Sequence, residues 1–263
     1  MNDERELSGP DGTAIPPEVC DIAFGWDPTP EVERLLHCCR ELGARPGSAL
    51  ELGCGTGRLL RALEGRVPEL AGLDLSSAMI AYARGRTGAA LHVADMSDFA
   101  LGRRFDLIYT SANTIRCVTD ADAIARLWHC VADHLVTGGV FVADLELGLA
   151  AQAAQVGQPI GWTMSRGEAL VRVTWTVIEP ASAATRCCRV EWVFELRDGE
   201  TRQRWREEFP LRTYEAEEFV RLATTDGRLE ASGMYLLRDP YLFETSVEKA
   251  AGRVLVVLRA REA

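Results

Sequence analysis

The chain has 263 residues, of which 47% are hydrophobic and 26% charged, the composition of a folded globular protein with a sizeable core. Its net charge is −10, and Lys249 is its only lysine. An acidic chain without a cluster of basic residues lacks the many cationic contacts that a phosphate backbone demands, so no nucleic-acid partner is expected. No apolar run approaches the ~20 residues of a membrane span. The stretch Met1-Asn2-Asp3-Glu4-Arg5-Glu6 is too charged for a secretory signal. A cytoplasmic protein with no membrane partner is the expectation.

In chain order, residues 1–18 carry Gly9-Pro10, Gly12 and Pro16-Pro17 and read as a loose arm. In Cys20–Pro28, Phe24 and Trp26 suit either a lid over a ligand or a hydrophobic staple for the next helix. Thr29-Pro30 opens that helix with a capping hydroxyl and a proline in its first turn, and Val32, Leu35, Leu36, Cys39 and Leu42 recur at helical spacing.

The stretch Ala49-Leu50-Glu51-Leu52-Gly53-Cys54-Gly55-Thr56-Gly57-Arg58-Leu59-Leu60 is the hub of the chain. A short apolar run holds an acid near its end, three glycines alternate, and a leucine-rich segment follows: strand, tight turn, helix. The glycines permit dihedrals that a Cβ forbids and let a ligand approach the main chain. The helix aims its free N–H groups at the same place. The spacing is G-x-G-x-G, not the G-x-G-x-x-G of dinucleotide sites.

A second strand, Leu70–Leu73, ends in Asp74, and Ser76-Ser77 caps a helix carrying Met79, Ile80 and Tyr82. A carboxylate at a strand tip suits a ribose diol, because it accepts from both hydroxyls. A third strand, Ala90–Val93, runs into Asp95 and Met96. This register of strand-end acids behind a glycine loop resembles motifs I to III of the class I S-adenosylmethionine (SAM) dependent methyltransferases. The resemblance covers residues 20–146 well and the rest loosely. It implies an α/β fold, a Rossmann-like seven-stranded sheet flanked by helices, with SAM as cofactor and S-adenosylhomocysteine as product.

Carried over residue by residue, Glu51 serves the methionine end, Gly53, Gly55 and Gly57 allow close approach, and Asp74 takes the ribose. Asp95 and Met96 take the adenine, while Cys54, Thr56, Leu75, Met79, Ser111 and Trp26 complete the cofactor-binding set. Cys20 stands where many relatives of the small-molecule type have a tyrosine that closes over the cofactor. Phe105–Tyr109, followed by Thr110-Ser111-Ala112-Asn113-Thr114, resembles motif IV, whose following residues face the transferred methyl group. Asn113 is therefore a candidate to position the substrate. The Asp/Asn-Pro-Pro-Tyr of DNA N-methyltransferases is absent there.

Asp120–Val136 reads as an amphipathic helix with Ile124, Leu127, Trp128, Val131 and Leu135 inward. Its His129 and His134 read as surface or satisfied core residues rather than catalysts. Val140–Asp144 reads as the fifth strand, and a short helix is expected over 148–156. From Gly161 to Arg212 the period becomes two. Val171, Val173, Trp175 and Val177 alternate with polar residues, and Cys188–Leu196 and Arg202–Leu211 continue the pattern around Asp198-Gly199, a hairpin signal. A three-stranded antiparallel meander is expected, its apolar face over the mouth of the SAM site. Such an insertion resembles glycine and aminosugar N-methyltransferases, where it forms a substrate lid or a dimer surface. Glu191 and Glu195 opposite Arg202–Arg206 read as cross-strand pairs on a solvated face. Thr213 is expected to cap a helix over 214–223. Arg212 and Tyr214 resemble a segment that lines the substrate pocket, Arg212 holding a carboxylate and Tyr214 orienting the nucleophile. Leu229–Leu237 and Arg253–Leu258 complete the sheet edge.

The eight cysteines include the adjacent pairs Cys38-Cys39 and Cys187-Cys188 and no C-x-x-C, which suits free thiols better than zinc or a disulfide framework. No metal is expected. The divisions expected are the arm 1–18, a SAM-binding core 19–158, the β insertion 159–212 and a C-terminal part of the core 213–263. The activity expected is methyl transfer to a small-molecule N, O or S nucleophile, with a homodimer possible. A SAM-binding regulatory or inactive partner subunit, or aminopropyl transfer, are the alternatives.

Overall fold

The computed structural model describes residues 15–149, 155–182, 184–238 and 241–261. Two helices, α1 (Pro17–Ala23) and α2 (Thr29–Glu41), precede β1 (Ser48–Leu52), α3 (Arg58–Leu63), β2 (Glu69–Asp74), α4 (Ser77–Arg84), β3 (Ala90–Val93) and β4 (Phe105–Thr110). A 3-10 turn (Thr114–Cys117), α5 (Ala121–His134) and β5 (Leu135–Leu147) follow. Next come β6 (Ile160–Arg166), β7 (Ala169–Glu179), β8 (Cys187–Asp198) and β9 (Thr201–Arg212). Helix α6 (Ala216–Thr224), β10 (Leu229–Arg238), β11 (Tyr241–Glu244) and β12 (Gly252–Ala260) end the chain.

The main sheet runs β11-β10-β12-β5-β4-β1-β2-β3. Strands β1 to β5 pair in parallel, and β12 joins β5 antiparallel. All seven expected strands are present; an eighth, the short β11, extends the β10 edge. Both faces of the sheet are covered, so its central strands are apolar throughout rather than alternating. Leu50, Leu52, Ile108 and Phe141 pack under α5 and α6 with Trp128 and Phe219, whereas Ala49, Leu107, Tyr109 and Val140 pack under α2 and α3 with Leu35 and Leu59. Alternate residues of each strand thus serve opposite layers. His134 is satisfied in the core: Leu101 N donates to its Nε2 (2.9 Å), and its Nδ1 lies 2.7 Å from the Cys130 carbonyl.

The insertion is a separate antiparallel sheet, β6-β7-β8-β9. It has four strands where three were expected, because β6, with Trp162 opposite Val173 and Met164 opposite Val171, continues the inner face through a run too short and glycine-interrupted to read. Its apolar face closes first on α1: Val171, Val173, Phe194 and Trp205 pack with Val19, Cys20 and Ala23. The expected solvated face is present, with Glu191 paired to Arg206 and Glu195 to Arg204.

Three local expectations are corrected. The N-terminus of α2 is held by Asp27, whose Oδ1 accepts from Thr29 N at 2.9 Å; Thr29 already lies inside the helix. Thr213 does not cap α6. Its hydroxyl donates to the Arg186 carbonyl at 2.8 Å, and the helix begins after Glu215. The expected arm overlaps α1, which begins at Pro17 with Ile15 buried before it. The short helix expected over 148–156 falls largely outside the described residues.

Candidate active site

The site is built where β1, β2 and β4 end. Gly53 and Gly57 adopt φ +71° and +76°, a region costly for residues with a Cβ. At Gly53 a Cβ would stand 2.3 Å from Thr114 Cγ2, so the turn after β4 closes directly on the loop. The loop is anchored to β2: Gly53 N and Cys54 N donate to the Leu73 carbonyl at 2.8 and 2.9 Å. Gly72 faces Leu60 Cδ1 and Cys54 Sγ, which a Cβ would approach to 2.6 and 2.9 Å, a close packing that the sequence reading did not single out.

Asp74 sits at the tip of β2 as expected. Its Oδ2 accepts from Gly55 N (2.8 Å) and its Oδ1 from Ser76 N (2.9 Å). The carboxylate is therefore fixed in orientation by the backbone on both sides of the cleft. Leu75 is 69% exposed and Val93 is 50% exposed. These are apolar side chains left uncovered at the strand tips. Asp95 turns its Oδ1 back to Ser97, accepting from its N (2.7 Å) and its hydroxyl (2.8 Å).

Glu51 is buried at the end of β1 and accepts from the Tyr109 hydroxyl at 3.1 Å. Burial pushes its carboxyl up to about 8, against the Tyr109 hydrogen bond and the Arg58 charge, because desolvation disfavours the charged form. At the start of α3, Arg58 pairs with Glu31 and places its guanidinium 5.1 Å from the centre of the Trp26 ring. Trp26 is edge-on to Phe24 with ring centres 5.6 Å apart, so the two aromatics expected as a lid or as a staple pack together beside Arg58.

A residue the sequence reading missed holds α1 down. The Asp21 carboxylate, with a side chain 1% exposed, is met by Arg61 (3.1 Å), Arg86 (3.6 Å), Arg166 (2.9 Å) and the Tyr82 hydroxyl (3.1 Å). Burial works to raise its pKa, but hydrogen bonds from Thr56, Arg166 and Arg61 outweigh it and hold the carboxyl below its usual range. Arg166 also donates to the Asp21 carbonyl (2.8 Å), and Trp162 Nε1 donates to the Ala23 carbonyl (2.7 Å). No local pattern announces Asp21, since its partners lie far apart in the chain.

On the far side of the cleft, Ala112 and Asn113 both have positive φ, 51° and 68°. Strain of this kind in residues other than glycine persists where surrounding contacts over-determine it. Those contacts are visible here. Asn113 N donates to the Asp144 carbonyl (3.0 Å), and its Oδ1 accepts from Glu146 N (2.7 Å) and Arg116 Nη1 (3.4 Å). Arg116, 1% exposed, donates from Nε to the Arg212 carbonyl at 2.8 Å. It ties the motif IV turn to the last strand of the insertion. Asn113 thus lies at the site, with its side-chain oxygen committed to the strand end.

Arg212 and Tyr214 are brought near this turn but are engaged in packing. The Arg212 guanidinium pairs with Glu218 (3.1 Å), which also pairs with Arg186, and lies 5.3 Å from the Tyr214 ring centre. Tyr214 is 2% exposed, packs edge-on to Phe219, and has its hydroxyl pKa raised by burial. Glu218 already engages one Nη of the guanidinium to which a carboxylate-holding role was assigned, while the Arg212 Nε is buried with no hydrogen-bond partner among the described residues.

Cys20, Cys38, Cys39, Cys54 and Cys188 are buried free thiols. Among the described residues no three His, Cys, Asp or Glu side chains group to hold a metal ion, and no helix is long and apolar enough to cross a membrane.

Comparison with known proteins agrees with this geometry. Residues 49–139 match the pattern of a methyltransferase domain. The chain is 31% identical over 131 residues to dTDP-3-amino-3,4,6-trideoxy-alpha-D-glucopyranose N,N-dimethyltransferase of Streptomyces venezuelae, covering 48% of this chain and 55% of that protein. It is 34% identical over 134 residues to trans-aconitate 2-methyltransferase of Acidovorax sp. (strain JS42), covering 46% of this chain and 49% of that protein. The chain thus spans about half the length of the curated relatives it matches. Among solved structures, the sugar N-methyltransferase KedS8 from Streptoalloteichus sp. is 25% identical, with a TM-score of 0.77, over 100% of this chain and 99% of that one. DesVI of Streptomyces venezuelae is 23% identical, with a TM-score of 0.77, over 93% of this chain and 96% of that one. The glycine loop, the strand-end acids, the sheet order and the inserted sheet agree with these matches: residues 49–139 are similar to a methyltransferase domain, and the chain has the fold of SAM-dependent small-molecule methyltransferases.

Proposed function

We propose that this protein binds SAM in the cleft between the glycine loop and the insertion and methylates a small-molecule amine. The observation that carries the reading is the fixed Asp74 carboxylate facing a glycine loop that tolerates no Cβ at Gly53. The exposed Leu75 and Val93 offer apolar surface to an adenine ring beside Met79, Asp95 and Met96. Asp74 takes the ribose hydroxyls, and Gly53, Cys54, Gly55, Thr56 and Gly57 line the approach with Ser111 opposite. Glu51, buried and raised in pKa, takes the α-ammonium of the methionine end, a cation that compensates its desolvated charge. Trp26 closes the same end.

When bound, SAM supplies an electrophilic methyl group on a sulfonium. The protein's part is to align the acceptor in line with the S–C bond and to keep water out. The strained Ala112–Asn113 turn and the α1–insertion unit do so from opposite sides. The amine class is supported by the relatives, among which the dimethyltransferases from Streptomyces venezuelae and Streptomyces fradiae carry dTDP-aminosugars in their names. The charged outer face of the insertion, with Glu191–Arg206 and Glu195–Arg204 pairs, favours a lid over an apolar dimer surface.

The test is formation of S-adenosylhomocysteine from SAM with dTDP-3-amino-3,6-dideoxy-α-D-glucopyranose or with trans-aconitate as acceptor. Turnover dependent on the aminosugar is the expected result. Turnover with trans-aconitate alone would contradict the amine reading.

A further inference from the structure

The inner face of the insertion has an unassigned polar group in its middle. Along β9, Trp205, Glu207 and Phe209 point to the same side by the period of the strand. They stand opposite Phe194, Trp192 and Val190 of β8. The Trp205 end of this face rests on α1. The other end, at Cys188 and Leu211, rests on the motif IV turn, where Arg116 Nη2 lies 3.8 Å from Cys188 Sγ and its Nε reaches the Arg212 carbonyl. Along β9, Glu207 therefore lies between the end of this face that rests on α1 and the end that rests on the 114–117 turn.

Two further facts agree with that position. The Cys20 thiol on α1 is pushed up to about 12 first by burial and next by the charge of Glu207, with Asp74 also contributing. Glu207 and Asp74 are thus both close enough to act on this thiol, as are Glu18 and Asp21. The wall around Glu207 is aromatic: Trp192 lies 5.8 Å from Phe209 and 5.4 Å from Phe24, ring centre to ring centre. Among the described residues, the indole N–H groups of Trp192 and Trp205 are buried without a hydrogen-bond partner. Buried donors of this kind are normally satisfied, and a ligand bearing hydroxyl or carbonyl oxygens would satisfy them.

We propose that Glu207, set in this aromatic wall, is the anchor for the amino nitrogen of the methyl acceptor: its carboxylate accepts an N–H of the neutral amine and faces the positive charge the nitrogen gains as its lone pair takes the methyl group and the S–C bonding pair returns to sulfur, with the Trp192 and Trp205 N–H groups donating to the acceptor's oxygens. A carboxylate among ring faces attracts an ammonium both by charge and through the ring quadrupoles. The same carboxylate repels an anionic acceptor, which gives discrimination between amine and carboxylate substrates by an unfavourable contact as well as a favourable one. The proposal rests on the reading of the cleft as the SAM site.

The experiment is calorimetric titration of the full chain and of Glu207→Gln with S-adenosylhomocysteine and with sinefungin, in which a carbon bearing an amine replaces the methylated sulfur, so that an ammonium stands in place of the methyl group and faces the acceptor side. Glu207→Gln is expected to weaken sinefungin about tenfold and to leave S-adenosylhomocysteine within about twofold, which also shows that the variant is folded. Equal weakening of both ligands, or no change in either, overturns the assignment while the cofactor reading stands. Failure of the unaltered protein to bind either ligand overturns both.

Discussion

Glu51 is a carboxyl group whose protonation is set by burial, and this makes it readable in solution. Its folded pKa, about 8, lies above the ~4.3 of an unfolded glutamate. The folded protein therefore holds a proton that the unfolded chain has lost between these values, and stability falls as pH rises through that window. Below about pH 4 the group contributes no difference. Glu51→Gln removes this titration. Urea unfolding of the two proteins from pH 5 to 8.5 should show the unaltered protein losing stability relative to the variant, by an amount on the order of a few kcal/mol at the upper end. Parallel pH profiles would show that Glu51 ionises in the fold as it does in water. The placement of the motif I to III residues at the strand ends was legible because the signal is local: a glycine spacing and acids at strand tips. Asn113 was located by the same register, but the use of its side chain was not. Its Oδ1 partners, Glu146 N and Arg116, depend on which strands become neighbours.

At the scale of elements, α1 and the four-stranded sheet form one unit. The apolar face of the sheet is completed by Val19, Cys20 and Ala23, and the bonds from Trp162 and Arg166 to the α1 backbone fix their relative position. That unit is fastened to the cofactor domain through Asp21 and its partners Arg61 and Arg86 on α3 and after α4. Asp21→Asn keeps the size of the side chain and removes the charge that three guanidinium groups share. Amide exchange in α1 should accelerate by roughly tenfold to a hundredfold, the equivalent of about 1–3 kcal/mol of local stability, while the core strands β1 and β4 keep their protection. Unchanged exchange in α1 would mean that the apolar contacts alone hold it. The sequence reading found the alternating strands of this unit but not its purpose. An amphipathic strand reveals that a face is buried, not what covers it, and α1 is too short for its own periodicity to identify it as the cover. The same limit applies to Arg212: its proximity to the site was legible, whereas its pairing with Glu218 required the fold of α6.

Over the whole molecule, the sheet order brings four separate stretches of chain to one cleft: the glycine loop after β1, the Asp74 tip of β2, the strained turn after β4, and the α1–insertion unit above them. The first three follow from parallel strands whose carboxyl ends share an edge, the usual place for ligands in open α/β sheets. The fourth is set by long-range packing, which explains why the strand-end positions of the candidate site could be placed in advance and the cover formed by α1 and the insertion could not. Binding of the cofactor is the claim on which every other assignment depends. The measurement that tests it most directly is calorimetric titration of the purified protein with SAM and, separately, with S-adenosylhomocysteine. Micromolar binding of both at one site per chain is the predicted result. Absence of heat and of binding for both ligands would contradict the account, leaving the fold without the cofactor site assigned to it.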